Sequence, residues 1–197
     1  MTNLETAYAL IDEANARDPN LISDGGASVP AELVYGQRMT AMLARVYPDA
    51  SDDVRLAVRA QHIRRWEVPR ASYPMDRPGY LRWRKDLGRK HAEWAGEILE
   101  RVGYSAEQVA RVGALVRKEN FRRDAEAQAV EDVASLVFLA HYAADFAAKH
   151  PPEKVISILV KTLAKMSDEG KAAALTLDLP APVRAALDAA LTAAAAP

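Results

Sequence analysis

The chain of 197 residues contains no cysteine, which removes disulfides, thiolate metal ligation and cysteine nucleophiles from its chemistry. It also lacks any apolar run near the roughly 18 residues that a membrane-spanning helix needs. Acids interrupt even the apolar positions of its first segment, MTNLETAYALIDEANARD. A dominant charge is missing as well: 26 basic residues stand against 27 acidic ones, a formal net charge of -1. Nothing therefore drives bulk attraction to nucleic acid or to an anionic membrane, and any recognition of anions has to be local. These absences lead to the expectation of a soluble, cytoplasmic protein.

Strand patterns and fixed-period repeats are scarce too, and what is present reads as helix. Leu4, Ala7, Tyr8, Ile11 and Ala14 recur at three- and four-residue spacing and predict a first helix that stops near Asp18-Pro19. Ser23 to Pro30 is turn chemistry, and Pro30 is placed to start a second helix. Ser51 with Asp52 and Asp53 supplies an N-cap and an acidic first turn for a third, with His62 near its end. Prolines 69, 74 and 78 exclude a continuous helix between Glu67 and Pro78, so an ordered loop is expected there. One long helix follows to Val102 and is closed by Gly103. Ser105-x-x-Gln108 is a capping box for the next, and another begins near Asp124 and is apolar nearly all round from Val133 to Phe146. The class is all-α, a bundle of about eight helices. Residues 1–179 are expected to form the helical domain. Residues 180–197 form an alanine-rich tail that buries little area and is expected to dock weakly.

The densest chemistry lies between Gln61 and Arg84. These 24 residues, QHIRRWEVPRASYPMDRPGYLRWR, hold one histidine, six arginines, two tryptophans and two tyrosines. Guanidinium groups beside aromatic faces on a proline-stiffened loop make a fork for phosphate or carboxylate. Arg64, Arg65, Arg70, Arg77 and Arg84, with Tyr73 and Trp66, are the candidate substrate-binding residues. The other reading pairs these arginines with nearby acids such as Glu67 and Asp86, where exposed ion pairs contribute little.

Four further positions draw attention. His62, His91, Glu131 and Asp132 lie on three different predicted helices, the arrangement from which bundles build metal sites. His62, His91 and Asp132 are the candidate ligands of a divalent metal; His62, Glu131 and Lys118 are the candidate catalytic residues. The alternative is that each histidine is simply hydrogen-bonded within its helix. His141 and His150 are read as a core histidine and a helix-end cation.

From Leu4 to Leu179 the chain resembles the domain-of-unknown-function family numbered 4202, through RAQHIRRWEVPRASYPMDRPGYLRWR, KHAEWAGEIL, EDVASLVFL and the KMSDEG turn. More remotely, the order of helices is similar to that of HD-domain metal phosphohydrolases. LAVRAQHIR, residues 56–64, sits where that superfamily has a segment like LAALLHDIG, and EDVASL resembles its late aspartate segment. The resemblance lays Gln61 on the family's histidine and His62 on its aspartate, with Tyr35 near the first histidine and Lys118 or Glu119 near a later one. It puts Asp132 on the first aspartate of the late segment and Ala134 on the usual ligand. It thus implies either a metal site rebuilt from His62, His91, Glu131 and Asp132 or a pocket that handles an anion through basic residues. The leading expectation is an HD-like phosphohydrolase acting on a small phosphorylated or anionic metabolite. The alternatives are a metal-independent anion-binding pocket and a protein-interaction scaffold. No nucleic acid and no membrane partner is expected, and a homodimer is left open.

Overall fold

Helix ends are written in local side-chain chemistry, and the computed structural model, which describes residues 2–195, follows it closely. The chain forms two compact units, Met1–Asn120 and Phe121–Pro197.

In the first unit, Thr2 and Glu5 form a capping box that starts α1 (Asn3–Asn15), which buries Ala7, Ile11 and Asn15. The segment read as pure turn is a small antiparallel hairpin, β1 (Leu21–Asp24) and β2 (Ala27–Pro30), with Leu21 opposite Pro30 and Asp24 opposite Ala27. Gly25 and Gly26 take φ 57° and 85°, the left-handed pair that a two-residue hairpin turn demands. The Asp-Gly-Gly tripeptide was the available signal for this hairpin, which among the described residues is the one departure from an all-α architecture.

Pro30 precedes α2 (Ala31–Val46). Ser51 accepts the Val54 N–H to cap α3 (Asp52–Arg59), whose Val54, Leu56, Ala57 and Val58 are buried. α3 stops at Arg59, so His62 lies not on a helix but in the turn that follows. Two short 3-10 turns, Arg65–Glu67 and Arg70–Ser72, order the proline-rich loop. Asp76 then caps α4 (Arg77–Val102), with Pro78 in its first turn and Gly103 closing it at φ 98°. Gly79 is required where it stands: a Cβ there would sit 2.1 Å from the Pro74 carbonyl oxygen. The expected capping box of Ser105 and Gln108 opens α5 (Ala106–Val116). α1, α3, α4 and α5 pack on one another, and the core they share includes Ile11, Leu56, Ile63, Leu99 and Leu115, each at most 1% exposed. Burying a side chain of that size contributes about 1.5–3 kcal/mol.

The second unit comprises α6 (Ala125–His141), α7 (Ala143–Ala148), α8 (Pro152–Leu163), α9 (Asp168–Leu175) and α10 (Ala181–Ala195). The apolar run expected as one helix is broken at Tyr142. The alanine-rich tail is also different from expectation. α10 packs against α8 and buries Val183, Leu187 and Ala190, because three core-sized positions at helical spacing suffice to anchor an alanine helix. Among the described residues no helix is long and apolar enough to cross a membrane.

Candidate functional site

The site gathers around His62, in the turn that α3 hands to the 3-10 segment. Its Nδ1 lies 3.1 Å from Oε2 of Glu32, and its Nε2 lies 3.3 Å from Nη1 of Arg65. A guanidinium can only donate, so Nε2 is the acceptor and carries no proton. Nδ1 then bears the hydrogen and donates it to Glu32. This tautomer is the neutral imidazole. Tyr35 covers one face of the ring, with centroids 3.8 Å apart and planes 8° from parallel, and His91 lies 6.0 Å away.

The electrostatics agree with the geometry. Burial holds His62 well below the ordinary histidine value, and the charges of Arg65, Lys118 and Arg84 push it further the same way. Glu32, only 15% exposed at its side chain, is pushed up to about 7, chiefly by burial and also by Asp18, while Arg65 works against the rise. Arg65 lies 3.7 Å from Glu32 Oε1 and stacks on Trp83 at 4.9 Å from the ring centroid. The Trp83 indole N–H donates to the Val68 carbonyl at 2.9 Å, which fixes that ring as a platform. Lys118 ends α5 in a left-handed conformation at φ 54°, a conformation that a side chain takes at a cost of about 1–2 kcal/mol. The site therefore presents one neutral imidazole, one carboxyl titrating near neutrality and three cations.

His91 is held differently. It is 3% exposed, and its Nδ1–H donates to the Ile63 carbonyl at 2.6 Å. Burial pushes it down to about 3, helped by the neighbouring His62. Its Nε2 is buried with no hydrogen-bond partner.

The remaining predicted residues divide into three sets. Arg64 and Trp66 do not join His62: with Trp94, Glu67 and Arg101 they line a separate cavity of about 450 Å³. There Arg64 pairs with Glu67 at 2.6 Å and lies 4.7 Å from the Trp94 ring centroid. Arg70 donates to the carbonyls of Tyr73 and Asp76, at 3.1 and 3.3 Å, and Tyr73 donates its hydroxyl to Asp86 at 3.1 Å. Both are staples of the proline-rich loop. Arg77 stands exposed in the first turn of α4.

In the second unit, Glu131 lies 3.6 Å from Lys165 Nζ. Asp132, fully buried, accepts from the Ser167 amide at 2.9 Å, the Ser167 hydroxyl at 2.5 Å and Gln128 at 3.0 Å. Asp132 thus braces the start of α9, through the Ser167 that caps it. Of the expected metal set, His62 and His91 belong to the first unit and Asp132 to the second. Among the described residues no three His, Asp or Glu side chains are placed to hold a metal ion. A donor set whose imidazole Nε2 faces Arg65, with two further cations near, does not suit a divalent cation.

A family model described as "Domain of unknown function (DUF4202)" matches residues 5–187. The chain belongs to this family. No curated protein and no solved structure is detectably similar to it. In this DUF4202 chain, Tyr35 stacks on His62, the charge of Lys118 acts on it, and Gln61 donates to the Val116 carbonyl at 3.2 Å. Glu32 was not foreseen. Its only sequence signal was an acid in the first turn of α2, which is ordinary cap chemistry.

Proposed function

We propose that the His62 site binds a small phosphorylated metabolite and that His62 exchanges a proton with it, without a metal. The observation that carries this reading is the neutral His62 imidazole, hydrogen-bonded on one side to Glu32 and facing Arg65 on the other, within reach of the charges of Arg84 and Lys118. Three cations against the Glu32 carboxyl, with Asp18 behind it, favour an anionic ligand, and the guanidinium of Arg65 matches a phosphate's paired oxygens. The same cations keep His62 a poor base while the site is empty. A phosphate dianion would neutralise them, raise the proton affinity of Nε2 and so switch on general acid/base chemistry only when ligand is present. Glu32 would steady the imidazolium through Nδ1. Hydrolysis of a phosphate monoester, with His62 handling the proton of water or leaving group, is the reaction class that fits. The resemblance of LAVRAQHIR to the phosphohydrolase segment supports the same class of ligand.

The test is titration of the full chain with inorganic phosphate and simple phosphomonoesters, read by thermal shift and by the NMR titration of His62. Binding at 100 times Kd should stabilise by about 2.7 kcal/mol, and the His62 pKa should rise. Arg65→Gln should weaken the response at least about tenfold while the chain stays folded. Absence of any shift at millimolar phosphate, with or without added Mn²⁺, would refute the reading; a response that requires Mn²⁺ would replace it with the metal-dependent one.

A further inference from the structure

We propose that Asn15 is the positioning residue of this site, acting on the Glu32–His62 pair through the backbone of Glu32 and that of Arg64, in the turn that carries His62. Asn15 closes α1 and is 1% exposed. Its Oδ1 accepts the Arg64 N–H at 3.0 Å, and its Nδ2 donates to the Glu32 carbonyl at 3.4 Å. One side chain thus bridges the first turn of α2, which carries Glu32, and the turn that carries His62 and Arg65.

The Arg64 contact is the telling one. Arg64 sits at φ 53°, a left-handed conformation that a non-glycine residue adopts only when its surroundings impose it. That turn separates neighbours in sequence. Ile63 and Arg64 line the Trp66–Trp94 cavity, whereas His62 and Arg65 reach Glu32. Without a fixed acceptor for the Arg64 N–H, the turn can relax to a right-handed conformer and carry His62 and Arg65 away from Glu32. Asp18, also buried at 3% exposure, completes the clamp by accepting the Glu32 N–H at 3.0 Å. Pro30, the N-cap residue of α2, makes no capping hydrogen bond with its side chain, so Asp18, in the segment that follows α1, performs that task at a distance. The groups facing Glu32 are then His62, Arg65 and, behind it, Asp18.

This inference rests on the reading of His62 as the proton-exchanging group, and its first readout needs no ligand. In the full chain with ¹⁵N-labelled histidine, wild-type His62 should show an unprotonated Nε2 at pH 7.5. Asn15→Ala should give a mixture of the two tautomers and weaken inorganic phosphate about tenfold. Asn15→Asp keeps the acceptor for the Arg64 N–H and should keep the wild-type tautomer. Ile11→Ala, a core truncation in the same helix, serves as the control for destabilisation alone and should leave the tautomer unchanged. A wild-type tautomer ratio in Asn15→Ala, or an equal disturbance in Ile11→Ala, would overturn the proposal. If Asn15→Ala does not fold, Asn15→Ser is read in its place, and a wild-type ratio there overturns the proposal equally. Failure of wild-type protein to bind phosphate would remove the proposed function and leave the tautomer result to decide on Asn15.

Discussion

Replacing Glu32 by glutamine should remove most of one pH-dependent contribution to stability, and its size follows from the site. The Glu32 carboxyl is moved from an ordinary 4.5 to about 7 by burial, with Asp18 adding to the rise. At about 1.4 kcal/mol per tenfold change in proton affinity, that is a differential of about 3 kcal/mol. The folded state holds this proton more tightly than the unfolded chain does. The contribution is therefore fully present below pH 4.5 and is lost as pH rises through 7, with about 2.5 kcal/mol of it falling between pH 5 and pH 8. His62 and His91 titrate in the opposite sense: their folded values lie below 6.5, so they withdraw stability as pH falls under 6.5. Both histidines remain in Glu32→Gln, and their effects largely cancel in the difference. The assay is urea unfolding of both proteins at half-unit steps from pH 5 to 8, followed by tryptophan fluorescence. Trp66, Trp83 and Trp94 all lie in the first unit, so the signal reports the unit that contains the site. Wild type should lose about 2.5 kcal/mol relative to Glu32→Gln across that range. A difference constant to within about 0.5 kcal/mol, or a wild type that gains stability relative to Glu32→Gln as pH rises, would show that Glu32 is not held as described.

Two further outcomes are expected. Gly79→Ala should destabilise the first unit by more than about 3 kcal/mol, since the added Cβ would meet the Pro74 carbonyl oxygen at 2.1 Å and neither backbone can yield cheaply; a loss under about 1 kcal/mol by chemical denaturation would contradict that close approach. Asp132→Ala should cost about 3 kcal/mol by leaving the Ser167 amide and hydroxyl without their acceptor, with phosphate affinity unchanged; weakened phosphate binding at equal stability would return Asp132 to the functional site.

Helix boundaries were legible because their determinants are local. Ser51, Ser105 and Gly103 end or begin helices by hydrogen bonds within a few residues. The hairpin was missed although Gly25-Gly26 announces it, because four-residue strands carry too little alternation to register as strands. α10 was undervalued because composition counts alanine area and overlooks Val183 and Leu187 at core spacing. The Gln61–Arg84 segment was recognised as chemically dense, yet its residues serve three ends: Arg65 and Arg84 act at His62, Arg64 and Trp66 line a second cavity, and Arg70 and Tyr73 hold the loop.

The amino-acid sequence by itself determined the all-α class, most helix ends, the exclusion of thiol chemistry and the family, since periodicity, caps and composition are properties of neighbouring residues. Tertiary structure alone decided the site. Glu32 meets His62 across 30 positions, Asn15 meets Arg64 across 49, and Asp132 meets Ser167 across 35. Contacts at those separations leave no local pattern, because the acid in a first helical turn and the asparagine at a helix end look the same whether or not they serve a site. Only when the chain has folded do burial and the neighbouring Asp18 push the Glu32 carboxyl up to about 7.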